Sequence, residues 1–399
     1  MFVEIHLIQN FSPANLNRDD TNTPKDCEFG GVRRARISSQ CFKKSIRNYF
    51  NNSNRFHPDD LSLRTKRIAE AVSVHLAKLA SGKSPEDISK VCEILLAGCK
   101  IKLEDGMSQY LLFLGEREIA SLAVIANKKF DDLLTAKAPA KDGENIAETK
   151  KKATAKDDKK SKKEAVNSEI VKEVLAVLNG GKAVDLALFG RMIADLPEKN
   201  MEAACQVAHA ISTHRVAMES DYFTAIDDLK PADTSGAGML GTVDFNSSCF
   251  YRYAVVDVSQ LTKNLHNDQS LAVKATEEFI NGMVHAIPTG KQNSMAAHNL
   301  PSAIMIVIRS SGQWSLANAF EKPIRTEASR SLLQGSIEEL CSYYSQISNA
   351  YGNGYIKSAQ ICVIDKGAAS TISSNKDLTK ANSINELLAT FKTVAAKGS

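Results

Sequence analysis

The chain of 399 residues is 43% apolar and 24% charged, with a formal net charge of +4; that length suits one large domain with insertions or two smaller ones, each with enough apolar residues for a core. No run approaches the ~20 apolar residues of a membrane span, and the eight scattered cysteines form no CxxC pair of the zinc or redox kind. The net charge by itself names no partner, so its distribution has to carry that question.

The opening MFVEIHLIQNF lacks the basic segment of a secretory signal, and the cysteine usage suits a reducing compartment, so a cytoplasmic protein is expected. Residues 2–9 alternate as a strand does, and 10–31 read as a loop rich in Asn, Asp, Pro and Gly. A helix is predicted from Ser38, with Phe42, Ile46, Tyr49 and Phe50 on one face and Lys43, Lys44 and Arg47 away from it. Residues 62–135 read as mainly helical. Residues 137–166, dense in Lys and Ala, read as a solvated insertion. Helices are predicted at 168–178 and 198–212, and CFYRYAVVDV (249–258) is the strongest strand signal. A helix at about 268–286, a strand at 302–309, a helix at 327–348 and a strand at 358–365 complete the chain. The fold class is α+β, and the order is compatible with a ferredoxin-like βαββαβ core carrying insertions, among other α+β folds.

Chemistry concentrates in residues 17–47, NRDDTNTPKDCEFGGVRRARISSQCFKKSIR. From Arg33 to Arg47 there are six basic residues and no acid. Gly30 and Gly31 permit a sharp turn. Arg33, Arg34 and Arg36 precede Ser38 and Ser39, either of which can cap the helix. A helix N-terminus with serine hydroxyls and flanking arginines suits a phosphate, and Lys43 and Arg47, one turn apart, extend the positive surface along a phosphodiester backbone. A capped helix with an ordinary basic face is the bland alternative.

This block closely resembles the N-terminal signature of the CasC family, the CRISPR RNA-binding backbone subunit of the type I-E Cascade complex. The shared residues are Leu16–Asp20, Pro24–Asp26, Phe29–Gly31, Arg36–Gln40 and Lys43–Arg47. The resemblance continues through VDLALFGRM (184–192), AHAISTH (208–214), DYFTAIDDL (221–229), GTVDFNSSCFYRYA (241–254), PTGKQ (288–292) and LANAFEKP (316–323). It is poorest at 51–180 and in the last thirty or so residues. Tyr222 departs from the family by standing where a member has Trp. The resemblance implies an RRM-like (ferredoxin-like) palm with an inserted helical fingers subdomain and an inserted thumb hairpin. The expected division is palm at 1–50, fingers at 51–182, a return to palm at 183–214, thumb at 215–242 and palm again at 243–399. It further implies a non-catalytic subunit whose copies stack along CRISPR RNA, kink it periodically and present it to target DNA, with other Cascade subunits as partners and neither cofactor, metal nor membrane. RNA contacts are then expected from Arg18, Lys25, Arg34, Arg36, Ser38, Gln40, Lys43, Lys44, Arg47, Arg191, Met192, Lys291 and Gln292. Base wedging is expected from Phe223, Ile226 and Leu240. Because acids, Pro231 and glycines surround its few apolar residues, the thumb segment is expected to favour turns over long paired strands.

Catalysis has one foothold. Asp19, Asp20 and Asp26 lie close together near basic residues, and carboxylates so placed can bind Mg²⁺ and support RNA cleavage, as in the type III backbone subunits. The rival reading is therefore a metal-dependent ribonuclease, and a third is an isolated single-strand RNA-binding protein. His209 and His214 are five apart, one step beyond helical metal-ligand spacing, and SGAGMLG follows no strand–turn–helix context.

Overall fold

The structure, a computed structural model, describes residues 1–136, 168–225, 227–229, 239–365, 367–368 and 375–397. The insertion expected at 137–166 lies outside them. They form two compact units: Met1–Arg55, Ala204–Lys263 and Asn267–Ser399 make the first, and Phe56–Ala203 with Asn264–His266 the second. The return to the first unit expected at 183 thus comes at Ala204.

In chain order the first unit opens with β1 (Phe2–Ala14), β2 (Asp26–Phe29), β3 (Val32–Ile37) and α1 (Ser39–Asn52). The second unit holds β4 (Ser62–Thr65), α2 (Ile68–Leu79), α3 (Pro85–Gly98), β5 (Leu103–Glu104), β6 (Met107–Ser108), β7 (Leu112–Gly115), α4 (Glu116–Lys128), α5 (Phe130–Thr135), α6 (Ser168–Val177) and α7 (Val184–Phe189). The chain then returns through β8 (Cys205–Val207), β9 (Ala210–Ser212), β10 (Glu219–Ala225), β11 (Met239–Asp257), α8 (Val258–Asn264), α9 (Gln269–His285), α10 (Gln292–Met295), β12 (Ala303–Arg309), α11 (Leu332–Tyr351), β13 (Ile356–Val363) and β14 (Thr379–Ala381). It ends on a helix at Ile384–Lys397.

The first unit is built on one large sheet in the order β14–β13–β12–β1–β11–β9–β3–β2, with β8 and β10 also paired to β11. Among the described residues β13–β14 is its one parallel pair. The central strand β1 is buried on both faces. Its odd positions Val3, Ile5 and Leu7 are apolar, whereas Glu4 and His6 are buried polar residues that sequence alternation assigns to solvent. They survive burial through partners. Glu4 accepts from the Trp314 amide and from Tyr253 Oη, and His6 Nδ1 pairs with Tyr251 Oη at 2.9 Å. Burial pushes Glu4 up to about 7, partly offset by the Trp314 amide and Arg309, and pushes His6 down to about 3.

Three expectations change. The loop at 10–31 is paired at both ends: β1 runs on to Ala14, and Gly30 and Gly31, both at positive φ, turn β2 into β3 as a two-residue hairpin requires. The helix expected at 198–212 gives way to β8 and β9. Both pair with β11, so tertiary hydrogen bonding overrides the helix propensity of an Ala-rich stretch. In the mainly helical stretch 62–135, β4 pairs with β7 and β5 with β6.

The second unit packs α2, α3, α4 and α6 around a core that includes Val72, Leu76, Val91, Leu95, Leu122 and Val174. Within it Glu118 and Arg191 form a buried ion pair at 2.9 Å with side chains 0% and 1% exposed. The Glu118 carboxylate also accepts the amides of Gly115 and Gly180, and Arg191 donates to the carbonyls of Lys199 and Leu178. With these additional hydrogen bonds to both partners, the pair ties the loop before α7 to α4.

Candidate nucleic-acid interface

Helix α1 forms because its apolar positions recur at helical spacing: Phe42, Ile46 and Phe50 are buried. Ser38 caps it, its hydroxyl accepting the Cys41 amide at 3.3 Å, while the Ser38 amide donates to Asn17 Oδ1 at 2.8 Å. The cap thus locks the helix to the loop that carries Arg18. That loop is held along its length. The Lys25 amide donates to Asn17 O and the Arg36 amide to Lys25 O, both at 2.9 Å. Asn15, fully buried, donates through Nδ2 to Asn22 O and Asp244 O.

The expected contact residues separate by burial. Arg18, Gln40 and Lys44 are exposed, and Lys25, Arg36, Lys43 and Arg47 are half-buried. Arg36 Nη1 lies 3.1 Å from His209 Nδ1, and its Nε donates to Asp26 O. Burial first, and then the Arg36 and Lys25 charges, hold His209 below the ordinary histidine range. A neutral imidazole there can accept a hydrogen bond from Arg36 through Nδ1.

Arg34 does not fit a surface contact. It is 0% exposed and donates to the carbonyls of Phe29, Ser212, Phe320 and Glu321. In β3 the side chains of Arg33 and Arg34 point to opposite faces. Only Arg33 reaches solvent, where it pairs with Asp26. Arg191 is likewise consumed inside the second unit, whereas its neighbour Met192 is 78% exposed. Ser38 is buried as a cap. Gln292 clasps its own loop, its Nε2 donating to Pro288 O and Ala297 O while Oε1 is buried without a partner.

One loop joins the block from far along the chain. A Cβ at Gly290 would lie 2.5 Å from Leu16 O and 2.8 Å from Asn15 O, so 288–292 lies directly on the backbone that leads to Arg18. Lys291, half-buried and left-handed at φ 51°, follows at once. The convergence is backbone against backbone, a contact that only glycine admits, and that glycine is the one signal the sequence gives of it. A pocket lined by Asn17, Pro24, Lys25, Arg36 and Phe250 has about 20 Å³ of room. That holds a water and not a base, so whatever meets this surface lies on it.

The thumb segment departs from expectation in the opposite sense. β10 pairs with β11 over seven residues from Glu219↔Phe245 to Ala225↔Met239. Its β-branched and aromatic residues outweigh the flanking turn formers. All seven residues of β10 are exposed. Pairing sorts the side chains by face. Phe223 lies opposite Gly241, and a Cβ there would be 2.6 Å from its Cζ, so the ring covers the glycine. Tyr222 and Leu240, on the other face, are 61% and 59% exposed. Ile226 lies outside the described residues. The hairpin is tied to the basic loop by Asp244, which accepts from Thr23 and Ser220, and these two hydrogen bonds hold its carboxyl below the usual range.

Asp19 is engaged as well. Asp19 Oδ1 accepts from the amides of Thr21 and Thr23 and from the Thr21 hydroxyl; that hydroxyl bond is the largest influence holding its carboxyl low. Among the described residues no group of three or more His, Cys, Asp or Glu side chains could hold a metal ion. No helix among them is long and apolar enough to cross a membrane.

The sequence profile of the CT1975-like protein family matches residues 3–390. A chain of a solved structure titled "CRISPR RNA-guided surveillance complex, pre-nicking" is 26% identical to this one and superposes with a TM-score of 0.79, all of both chains being covered. A chain of a second, titled "CRISPR RNA-guided surveillance complex", is 22% identical with a TM-score of 0.70 over all of both chains, a likeness of fold. No curated protein matches the chain.

Proposed function

Because the chain belongs to the CT1975-like protein family, we propose that it is a non-catalytic backbone subunit of a type I-E CRISPR surveillance complex, copies of which line up along CRISPR RNA. The single observation that carries this reading is the convergence of Arg18, Lys25, the capped N-terminus of α1 and the Lys291 loop on one continuous stretch of hydrogen-bonded backbone. Capped helix starts and lysines suit phosphates, which every guide sequence offers alike. The sheet carries the order β12–β1–β11–β9, with helices between β1 and β9 and between β11 and β12, and we read it as the RRM-like palm; the second unit is the fingers and β10–β11 the thumb. The exposed Tyr222 and Leu240 then offer flat and aliphatic surface to a displaced base, and Met192 does the same from the fingers. The guide between successive thumbs is left to pair with target DNA, and the remaining partners are other Cascade subunits in the cytoplasm.

The ribonuclease reading finds less support, since Asp19 is held by Thr21 and Thr23 and Asp26 by Arg33. Asp20 is the exposed carboxylate left to test. Purification without added RNA is the primary experiment. A discrete CRISPR RNA bound in stoichiometric amount is expected, and recovery free of nucleic acid, or with random RNA alone, overturns the reading. Incubation with labelled complementary RNA and Mg²⁺ separates the rival: regular fragments that vanish in Asp20→Ala would establish the nuclease instead.

A further inference from the structure

Arg252 lies within β11 and is 2% exposed, yet among the described residues no carboxylate is in contact with it. Its guanidinium stacks on the Phe42 ring of α1 at 3.8 Å from the centroid. One terminal nitrogen donates to Gln9 Oε1 on β1, and the other reaches Met283 Sδ of α9 at 4.0 Å. Its Nε has no partner. A buried cation so poorly satisfied is costly, and an apolar side chain of similar length would fill the space at least as stably. Packing therefore does not explain the residue.

Its connections do. Gln9, fully buried, passes the link on: its Nε2 donates to Asn299 O at 2.7 Å. Asn299 Oδ1 in turn accepts from the Ser12 amide and hydroxyl, both at 3.1 Å. One planar cation thus holds the underside of the basic helix by its face and, through one amide, the end of the 288–299 loop by its edge. A lysine offers neither a stacking face nor a fork, and methionine offers no donor. The two elements it joins are those that bring Lys43, Lys44 and Lys291 to the interface.

We propose that Arg252 is a positioning residue that fixes the spacing between α1 and the 288–299 loop, so that both engage one phosphodiester backbone at once. The proposal rests on the RNA-binding reading above. Positioning predicts a signature that loss of stability does not: the contribution of Lys291 depends on Arg252.

The test is a double-mutant cycle on the full chain, with a mixed-sequence single-stranded RNA as the probe and affinity measured across a salt series. Arg252→Met should fold with unchanged or higher stability, bind roughly tenfold more weakly, as for one charge-assisted contact, and exchange its Ser12 amide faster. Lys291→Ala should cost a similar factor in the wild-type background and little in Arg252→Met. Gln9→Leu repeats the cycle without touching the arginine and serves if Arg252→Met fails to fold. Additive losses, or wild-type affinity in Arg252→Met, overturn the positioning role while leaving RNA binding intact. A wild-type chain that binds no RNA overturns the parent reading instead, and this proposal with it.

Discussion

The block from Asn17 to Arg47 and the hairpin of β10 and β11 meet at Asp244, yet they are stabilised in opposite ways. In the block, apolar residues go inward and every charge except Arg34 remains at or near the surface: Phe42, Ile46 and Phe50 are buried, and loop, cap and strand are joined by hydrogen bonds. In the hairpin the backbone pairs fully, but Tyr222, Met239 and Leu240 have no core to enter. A block of the first kind is rigid before any partner arrives, so its ligand pays little ordering cost. A ladder of the second kind keeps its apolar area in reserve, and burying that area needs another molecule.

That contrast can be broken, and the largest effect is expected at Arg34. Arg34→Met removes donors from four carbonyls and should cost roughly 3 kcal/mol of stability, by the penalty for buried unsatisfied acceptors. Denaturant titration checks it; a variant as stable as wild type would mean that the carbonyls are served otherwise. Next comes the hairpin. Tyr222→Ala with Leu240→Ala should leave the melting curve of the free chain nearly unchanged. The pair should nonetheless weaken assembly on guide RNA by about 1–3 kcal/mol per copy, the range of a base stacked on a side chain. Sizing in the presence of RNA reads this, and a large fall in melting temperature would show the two residues to be core.

Smaller effects sharpen the comparison. Lys44→Glu should weaken binding of all guide sequences alike and reduce the slope of log affinity against log salt by about one. A loss confined to certain bases would contradict a phosphate role. The smallest is expected at His214, at the foot of the hairpin. Its Nε2 accepts the Cys249 amide at 3.2 Å, and burial first, with the nearby Arg34 charge, holds the imidazole below the ordinary range. The neutral form is the folded form, so its stabilisation is full above the unfolded value near 6.5 and is lost as pH falls below it. His214→Gln, which keeps an acceptor, should flatten stability over this acid limb. An unchanged slope would assign the limb to other groups.

Much of this was legible in the residues. The Ser38 cap, the buried face of α1, the strands at 249–258, 302–309 and 358–365 and the helix at 268–286 all follow from local pattern, and the run from Leu16 to Arg47 carried the family resemblance. The C-terminal helix, with Leu387, Leu388 and Phe391 buried at helical spacing, carried the same kind of signal and was missed. Arg34 and Arg36 shared one expectation. They lie two apart on the same face of β3 and differ in what the tertiary structure sets over that face: Arg34 is enclosed by the carbonyls of Ser212, Phe320 and Glu321, whereas Arg36 lies half-buried beside His209.

What the sequence determined is whatever depends on neighbours a few residues apart: periodicity, capping, the Gly30–Gly31 turn and the density of positive charge. Tertiary structure alone decided which cations are available. Arg191 is taken by Glu118, Arg34 by four carbonyls and Arg252 by an aromatic ring and an amide, each through partners distant in the chain. It also decided that Glu219–Ala225 pairs with Met239–Phe245 and that Gly290 brings Lys291 to the basic block. The reason is physical: desolvation and pairing of a charge depend on what lies within a few ångströms in space, and no local pattern of residues records that.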